Sequence, residues 1–386
     1  MLKAYKFRIY PNKEQAGLIA KHIGCARWVY NYGLERKIKA WSSDRKSVSR
    51  FDIQADLPKL KASLDTKWLA EVNAQTLQSS LEHLDKAYTR FFRLKEGFPR
   101  FKSKHGSKQS FSVPQHFRLD VATSRLTIPK MTPIRMVLHR QFEGEMCSVT
   151  ISRTPTGKYY ASILVETTDK PKKCKKVKES TTLGLDLGIK DFATLSDGRK
   201  VENPHILNQF KKQLTKAQRN LSRKVKGSNN RSKARLRVSK IHEKTTNIRR
   251  DFLHKLSHQL THENQVGTLV LEDLNVSGMQ RNHHLARSIG DCGWGEFVRQ
   301  LKYKSEWNGI NFIQIGRFEP SSKLCSDCGT INKSLELKDR NWVCTGCGTE
   351  HDRDINAAKN IKVMGLHPRQ KTVPTGCRES TLTETS

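Results

Sequence analysis

Apolar and polar residues alternate at the start of the chain, over residues 3–10, and this period of two predicts a β-strand. From Asn12 apolar residues recur every three or four positions, and the same spacing returns from about Asn73. Both runs predict long amphipathic helices whose apolar faces pack into a core. Residues 110–166 hold runs of Thr, Val and Ile broken by Pro and Gly, which predicts several strands. Together with the first strand they would close a small β-barrel, with the helical region of 12–95 inserted in it.

The second half of the chain begins with strands and continues with a long helical stretch. Residues 182–199 predict a hairpin of two strands, and from Ile206 to about Leu260 apolar residues step by three and four. A break at residues 226–230, rich in Gly, Ser and Asn, predicts that this stretch folds back as an antiparallel helical hairpin. The linker at 171–181 is basic and shows no period, so we expect a domain boundary there.

Composition adds a strong charge bias to this outline. The chain has 71 Lys and Arg against 37 Asp and Glu, a formal net charge of +34. Such an excess is typical of proteins that bind a polyanion, whose condensed counterions are released on binding. Residues 205–250 contain 15 Lys or Arg and one acid, Glu243, so the helical hairpin is predicted to contact nucleic acid. No stretch approaches the ~18 consecutive apolar residues of a membrane span, and we expect no membrane partner.

The segment GFPRFKSKHGSK, after the second helix, mixes aromatic and basic residues. Phe98 and Phe101 alternate with the cations Arg100, Lys102 and Lys104. Aromatic rings beside cations can stack bases and hold phosphates of a nucleic acid. A loop that buries two phenylalanines would give the same pattern, so the sequence leaves both interpretations open.

Four cysteines form two close pairs, and 15 residues separate the pairs. The pairs are Cys325-x2-Cys328 and Cys344-x2-Cys347, each followed by a glycine. Four thiolates in a tetrahedral array suit Zn²⁺ and leave no open coordination position. We therefore predict one structural zinc ion, with two coincidental pairs or a redox pair as the alternatives.

A carboxylate stands inside an apolar strand, at Asp186 in LGLDLGI. Aspartate is depleted in strand interiors, so its presence there calls for a reason. Side chains alternate along a strand, which places Gly184, Asp186 and Gly188 on one face and leucines on the other. The two glycines would leave the carboxylate open to a bulky group, such as a phosphate backbone and its metal ions. The alternative is a residue at a strand end that makes a local turn.

Two further acids complete a candidate site. Glu272 ends the apolar strand VGTLVLEDL, where Asp273 competes for the role. Asp354 starts a helix, where Asp352 is a rival. A strand acid with a following hairpin, a strand-end acid and a helix-start acid occur in the order of a ribonuclease-H-like fold, whose acids meet at one edge of a mixed sheet. Phosphodiester hydrolysis at such a site uses two Mg²⁺ ions, which favour carboxylate and water oxygens. We therefore predict catalytic Mg²⁺ ligands at Asp186, Glu272 and Asp354.

Several longer blocks resemble TnpB proteins of bacterial and archaeal insertion sequences. The blocks are LKAYKFRIYPNKEQ…GCARWVYN, GLDLGIKDFATLSDG, LVLEDLN, DCGWGEFVRQLKYKSEW, PSSKLCSDCG and HDRDINAAKNI. They follow the family's order from residue 1 to about 365. The resemblance implies an α/β multidomain protein, with an RNase H-like (RuvC) nuclease domain that holds an inserted zinc ribbon. It also implies a wedge-like β-barrel domain with an inserted helical recognition region.

The resemblance implies where these domains begin and end. The expected parts are a wedge β-barrel at 1–10 and 110–180, a helical recognition insert at 11–109, a RuvC-like nuclease domain at 181–324 and 351–366, a zinc knuckle at 325–350 and a disordered tail at 367–386. By motif match the RuvC carboxylates are Asp186, Glu272 and Asp354. The zinc ligands by motif match are Cys325, Cys328, Cys344 and Cys347.

TnpB proteins bind a guide RNA transcribed from the end of their element and cut matching double-stranded DNA beside a short adjacent motif. The resemblance thus implies an RNA-guided DNA endonuclease of an insertion sequence. It would act in a prokaryotic cytoplasm, associated with the nucleoid. The sequence leaves its oligomeric state open, together with the adjacent motif and the guide scaffold.

Three other functions are weighed against this one. A guide-dependent DNA binder that no longer cuts would be expected to lack a catalytic acid, and all three are present. A transposase that joins strands itself would need a His-x-His metal pair with a tyrosine nucleophile, whereas His283 and His284 are adjacent. A plain zinc-finger DNA binder would explain the charge and the cysteines, but it leaves Asp186 between two glycines unexplained.

Overall fold

The computed structural model of the chain describes residues 1–106, 109–262, 266–317, 319–336 and 338–367. The chain divides into two compact units, Met1–Asp169 and Lys170–Ser386. The boundary between them lies beside the basic linker at 171–181, close to where the sequence predicts one. The tail that was expected to be disordered lies outside the described residues, apart from His367.

The described part of the first unit contains one seven-stranded sheet and a group of helices. Its strands are β1 (Leu2–Tyr10), β2 (Gln109–Val113), β3 (Arg118–Asp120), β4 (Arg125–Thr127), β5 (Ile134–Val137), β6 (Glu145–Arg153) and β7 (Tyr159–Glu166). Its helices are α1 (Lys13–Asp44), α2 (Arg50–Ala55), α3 (Leu57–Ala62) and α4 (Ala74–Leu94), with a 3-10 helix at Lys67–Glu71. The helices lie in the chain between β1 and β2, as the apolar pattern predicts.

The strands of this sheet follow the order β2-β6-β7-β1-β5-β4-β3, and each neighbouring pair is antiparallel. β1 pairs with β7 on one side and with β5 on the other, so the first strand of the chain lies at the centre. Among the described strands β2 and β3 form the two edges, so these strands do not form the predicted closed barrel. Closure would require the edges to pair, and β3 is only three residues long.

Side-chain caps fix the starts of the two long helices of the first unit. The Asn12 side chain accepts from the Gln15 amide at 2.8 Å, and the Gln15 side chain accepts from the Asn12 amide at 2.9 Å. This reciprocal capping box satisfies two backbone donors at the first turn of α1. Asn73 caps α4 through the Gln75 amide at 3.2 Å. Both predicted starts, near Asn12 and Asn73, are confirmed.

The described part of the second unit contains a five-stranded sheet, a small hairpin and a set of helices. Its strands are β8 (Thr182–Asp186), β9 (Asp191–Leu195), β10 (Lys200–Glu202), β11 (Thr268–Glu272), β12 (Asn311–Ile315), β13 (Asn341–Val343) and β14 (Glu350–Asp352). Its helices are α5 (Ile206–Ser222), α6 (Asn229–His262), α7 (Val276–Met279), α8 (Ala286–Cys292), α9 (Trp294–Asn308) and α10 (Arg353–Leu366), with a 3-10 helix at Glu179–Thr181.

The five-stranded sheet has the order β10-β9-β8-β11-β12. β8, β9 and β10 are antiparallel, whereas β8, β11 and β12 are parallel, so the sheet is mixed. The predicted hairpin of 182–199 is confirmed as β8 and β9. One face of the sheet, with Leu185 and Leu271, packs in the large apolar core that also holds Phe297 of α9. The other face, with Val270, packs against α10.

The basic stretch after β10 folds as two helices, and the predicted helical hairpin is confirmed as α5 and α6. The guanidinium of Arg231 donates to the carbonyl oxygens of Leu221 at 3.1 Å and Lys224 at 2.9 Å. These bonds tie the start of α6 to the last turn of α5, at Leu221, and to the loop that follows it, at Lys224. Within the described ranges, no helix combines the length and the apolar character that crossing a membrane requires.

Candidate active site and metal centre

Asp186 and Glu272 end two neighbouring parallel strands, β8 and β11. The register of this pair places Leu185 opposite Leu271. The acid is the next residue in each strand, so the two carboxylates lie side by side at the carboxyl ends and on the same face. The sequence predicted both acids, and the strand register brings them together.

Helix α10 covers the face of the sheet that carries both acids. Gly184 lies on that face, two residues before Asp186. A Cβ added at Gly184 would overlap the carbonyl oxygen of Ala358 and lie 2.7 Å from the backbone nitrogen of Lys362. Because Gly184 has no side chain, α10 can pack directly against the strand at this position. The prediction that Gly184 leaves space for a phosphate backbone is therefore wrong.

Two more glycines make similarly close contacts with the protein. A Cβ at Gly188 would lie 2.7 Å from the carbonyl oxygen of Asp191, so this glycine fits the tight turn of the hairpin. A Cβ at Gly365 in α10 would lie 2.6 Å from a methyl group of Val270 in β11. Close packing of the helix on two strands is the reason for the small residues at Gly184 and Gly365.

The start of α10 presents two acids with different partners. Asp352 is the N-cap, and its side chain accepts from the amides of Asp354 at 3.0 Å and Ile355 at 3.1 Å. Asp352 also accepts from the Lys200 ammonium at 2.7 Å. Asp354 is the second residue of the helix and lies 3.4 Å from a guanidinium nitrogen of Arg340. The rival Asp352 is thus occupied as a cap, which leaves Asp354 in the first turn near the strand acids.

The pKa of Asp186 reflects its burial and the charges of the other two acids. Burial raises the pKa of Asp186 to about 7, and the negative charges of Glu272 and Asp354 act in the same direction. Burial also raises the pKa of Glu272, against a 2.5 Å hydrogen bond that the Ser321 hydroxyl donates to its carboxylate. Ionised carboxylates that crowd one another in a desolvated position are stabilised by a bound cation. The arrangement therefore suits a metal ion.

The three carboxylates are neighbours that do not converge on a single point. Across the parts of the chain that the structure describes, the four cysteines are the one group of three or more potential ligands whose donor atoms all lie within 4.8 Å of one another. Two of the carboxylates have separate partners, Ser321 for Glu272 and Arg340 for Asp354. The rival Asp273 is half-buried and pairs with Arg317 at 2.7 Å.

The four cysteines form a compact cluster beside the β13–β14 hairpin. The ligand atoms of Cys325, Cys328, Cys344 and Cys347 all lie within 4.8 Å of one another, so the grouping predicted from the spacing is confirmed. The glycines after the two pairs, Gly329 and Gly348, have φ of 77° and 74°. This left-handed backbone favours glycine and closes each turn. A set of four sulfur donors at this spacing suits a soft or borderline metal ion.

A histidine also contacts the cysteine cluster, and the sequence did not predict it. The Nε2 atom of buried His351 lies 3.1 Å from the Sγ atom of Cys325. The His351 ring packs against Trp342, with 4.9 Å between ring centroids. Hydrogen bonds to ligating sulfurs are an expected support of such sites, because they orient the ligand and stabilise its charge.

The cysteine cluster is bonded directly to the start of α10. The Ser326 amide donates to the Asn356 side chain at 2.9 Å, and the Arg353 guanidinium donates to the Glu336 carbonyl oxygen at 2.7 Å. Asn360, one turn further along the helix, donates to the carbonyl oxygens that precede the first cysteine pair. The segment from 321 to 352 therefore fixes the end of the helix that carries Asp354.

Three polar residues around the acids escaped the sequence analysis. They are Ser321, Arg340 and Asn360, which contact Glu272, Asp354 and Ser321 respectively. Ser321 belongs to the block PSSKLCSDCG, in which the sequence predicts a site role only for the cysteines. Its partner Glu272 lies 49 residues away in the chain, so no local spacing could have paired them.

Comparison with known families gives matches along much of the chain. A family described as "Probable transposase" matches residues 162–283, which include Asp186 and Glu272. A family described as "Cas12f1-like, TNB domain" matches residues 294–361, which include the four cysteines and Asp354. A family described as "Helix-turn-helix domain" matches residues 1–46. In this chain that segment forms β1 and the single 32-residue helix α1 rather than two helices joined by a turn.

Curated relatives match almost the whole chain. A Streptomyces pristinaespiralis protein, named as a candidate RNA-guided DNA endonuclease, is 40% identical over 367 residues, covering 94% of this chain and 89% of that protein. InsQ of Escherichia coli strain K12, named in the same way, is 34% identical over 380 residues, with 94% and 92% covered. Among solved structures, a Cas12f1-sgRNA-target DNA complex matches with a TM-score of 0.56 at 17% identity, over 91% of this chain and 83% of that one. This last match shows a likeness of fold.

Proposed function

We propose that this chain, which belongs to the TnpB family of RNA-guided DNA endonucleases, cuts double-stranded DNA that matches a bound guide RNA, beside a short adjacent motif. One observation carries the proposal. Asp186 and Glu272 lie side by side at the ends of parallel strands, and α10 packs over Gly184 and carries Asp354, whose charge acts on Asp186. Three acids brought together from distant parts of the chain suit phosphodiester hydrolysis.

We assign the second unit to the RNase H-like (RuvC) fold. Support comes from the mixed sheet order β10-β9-β8-β11-β12 and from the helix that packs across the carboxyl ends of β8 and β11. In the first unit, the seven-stranded sheet would act as the wedge and the helices α1 to α4 as the recognition region. The likeness to the Cas12f1 complex extends over both units and supports this division by fold.

We assign Asp186, Glu272 and Asp354 as the metal-binding and catalytic acids. Their oxygens are the hard ligands that Mg²⁺ prefers, and the raised pKa of Asp186 fits a site completed by a cation. A pair of Mg²⁺ ions bound here would activate water and stabilise the leaving oxygen of the phosphodiester. Each acid is held by a different element, namely β8, β11 and α10.

Other side chains orient these acids and offset their charge. The Ser321 hydroxyl bonds one oxygen of Glu272 at 2.5 Å and so limits rotation of the carboxylate. Lys200 and Arg340 place positive charge beside Asp352 and Asp354. These cations reduce the repulsion that a phosphate backbone would meet on approaching three acids.

We assign the four cysteines as the ligands of one structural Zn²⁺ ion. Four sulfur donors within 4.8 Å of one another can close a tetrahedral site, which leaves no position for a substrate. The hydrogen bonds of Ser326 and Arg353 link this cluster to α10. Zinc binding would thus stabilise the helix start that carries Asp354.

The basic helical hairpin of α5 and α6 is our candidate for the main nucleic-acid contact of the second unit. Residues 205–250 contain 15 Lys or Arg and one acid. Without a polyanion these like charges would repel one another along both helices. The hairpin would hold the phosphate backbone, while base pairing with the guide RNA would supply the sequence specificity.

The proposal is tested by expressing the protein together with the DNA that flanks its gene and sequencing the RNA that copurifies. The same preparation is given guide-matched and mismatched plasmids with Mg²⁺. We expect one discrete RNA and cleavage of the matched plasmid alone. The variant Asp186→Ala should bind matched DNA without cutting it, because it loses a metal ligand and no cation that contacts phosphate.

Two other outcomes would contradict the proposal in different ways. A discrete RNA with matched binding but no cleavage by the unmodified protein would favour a guide-dependent DNA binder. Indiscriminate DNA binding without any specific RNA would favour a plain DNA-binding protein that uses no guide RNA.

A further inference from the structure

Aromatic rings surround a cavity in the helical part of the first unit, and the proposed cleavage gives this cavity no role. It lies beside the last turns of α1 and the second half of α4, and its volume is about 560 Å³. Five aromatic residues line it, namely Trp41, Tyr88, Phe91, Phe92 and Phe98. We call this site the aromatic cavity. Its volume falls in the range of roughly 300–1,000 Å³ that is typical of sites for small ligands.

The rings of the aromatic cavity hold one another in fixed orientations. Tyr88 and Phe92 stack with 6.2 Å between centroids and 22° between planes. Phe98 meets Tyr88 and Phe91 edge to face, at 5.6 and 5.3 Å. The two outer rings nevertheless remain largely exposed, Trp41 at 54% and Phe92 at 71%. Exposed rings on a rigid aromatic base form a platform on which a further planar group can stack.

Positive charge borders the aromatic cavity. Lys46 and Arg93 are among its lining residues, and the Arg45 guanidinium lies 5.7 Å from the centre of the Trp41 ring. Residues 85–104, which include the second half of α4, contain seven Lys or Arg and two acids. A second copy of this chain seated here would bring the same cations against one another, so self-association is disfavoured. An anionic partner with flat apolar groups fits both features.

We propose that the aromatic cavity binds an unpaired nucleotide of RNA. The base would stack on Trp41 and Phe92, and the flanking phosphates would lie against Lys46 and Arg93. A base within a duplex is stacked and paired, so only an unpaired base can reach the rings. This inference rests on the proposed function only in so far as the chain has an RNA partner.

Asp85 is the reason for choosing RNA over DNA. Its carboxylate lines the aromatic cavity and lies 3.9 Å from the Lys37 ammonium. A carboxylate repels phosphate but accepts hydrogen bonds, and the ribose 2′-hydroxyl is a donor that DNA lacks. A ribose on the Asp85 side, with phosphates on the side of Lys46, would match both kinds of lining residue.

The first measurement maps photocrosslinks from a single-stranded RNA that contains 4-thiouridine to the full-length protein, without divalent metal. We expect crosslinked peptides that contain Trp41 or Phe92. The second measurement is the affinity of Trp41→Ala and Phe92→Ala proteins for the same RNA at several salt concentrations. Each variant should raise the dissociation constant about tenfold, which is the scale of losing one stacked base. The salt dependence should stay unchanged, because no cation is removed.

A matched control is Phe51→Ala, since Phe51 is also an exposed aromatic residue but does not line this cavity. Its affinity for RNA should be that of the unmodified protein, and thermal unfolding should show that all three variants fold.

Unchanged RNA affinity in the Trp41 and Phe92 variants would overturn the proposal even if guided cleavage works. An equal loss for DNA of the same sequence would overturn the choice of RNA. A change in oligomeric state with RNA affinity intact would instead identify a second copy as the occupant. None of these results depends on DNA cleavage, so they test RNA binding at the aromatic cavity even if the nuclease assay fails.

Discussion

A hydrogen bond of 2.5 Å joins Ser321 to Glu272, although 49 residues separate them in the chain. Ser321 is buried, and its carbonyl oxygen accepts from the Asn360 side chain of α10 at 2.7 Å. The residue that orients the strand acid is therefore itself held by the helix that carries Asp354. A change at Ser321 acts on the geometry of the acids without touching the basic surfaces.

We expect Ser321→Ala to slow cleavage of matched DNA about tenfold, because loss of a bond that orients a metal ligand typically costs this much. RNA-dependent DNA binding should be unchanged, and the Mg²⁺ concentration for half-maximal rate should rise. Cleavage rates over a Mg²⁺ titration provide the measurement. Ser322→Ala is the neighbouring control and should behave as the unmodified protein. Equal losses in both variants would exclude a specific role for Ser321.

Asp186→Asn should stabilise the protein at neutral pH in a metal-free buffer while abolishing cleavage. The folded-state pKa of Asp186 is raised from 3.8 to about 7, so between these values the folded state holds a proton that the unfolded state has released. Stability of the unmodified protein therefore falls as pH rises through that window. Removing the charge should raise the free energy of unfolding at about pH 8 by on the order of 2 kcal/mol.

Urea denaturation at about pH 5 and pH 8 in a chelating buffer tests this expectation. The gain from Asp186→Asn should be larger at the higher pH. Asp197→Asn alters an exposed acid of the same hairpin that pairs with Arg199, and it should show no such gain. A gain in stability that is the same at both values of pH would mean that Asp186 is not held in a desolvated anionic cluster.

Gly184→Ala should destabilise the protein and slow cleavage more than tenfold. The added Cβ would overlap the backbone of α10 at Ala358, and backbone moves less readily than the end of a side chain. Overpacking of this kind costs about 1–3 kcal/mol, and displacement of α10 also moves Asp354. Gly17→Ala is the matched control, because a Cβ there meets nothing within 4 Å. If Gly184→Ala protein cleaves normally, the close approach of the helix is not needed.

One zinc ion per chain is expected by elemental analysis of the purified protein. Cys344→Ser should lose it, because three sulfur ligands remain where four would close a tetrahedron. Cleavage should fall with the zinc content, since Ser326 and Arg353 connect the cluster to the start of α10. Cys147→Ser changes a half-buried cysteine outside the cluster and should keep both zinc and activity. Full activity in a zinc-free Cys344→Ser protein would show that the acids do not depend on the cysteine cluster for their position.

Sequence alone predicted the features that local patterns encode. The capped starts of α1 at Asn12 and of α4 at Asn73, the β8–β9 hairpin and the fold-back of α5 onto α6 all follow from short-range spacing, and all are confirmed. The cluster of four cysteines follows from two pairs of fixed separation, and it is confirmed as well. Each of these depends on residues close together in the chain, where few alternative geometries exist.

Tertiary structure decided the relationships between distant residues. The sequence predicts open space at Gly184, because alternation along a strand gives the face of a residue but not what covers that face. In the folded chain α10 covers it. The same packing left Asp352 as the cap and Asp354 near the strand acids. The open edge of the first sheet and the bond between Ser321 and Glu272 likewise depend on which segments meet after folding. Such contacts follow from long-range packing, and no periodicity in the chain carries that information.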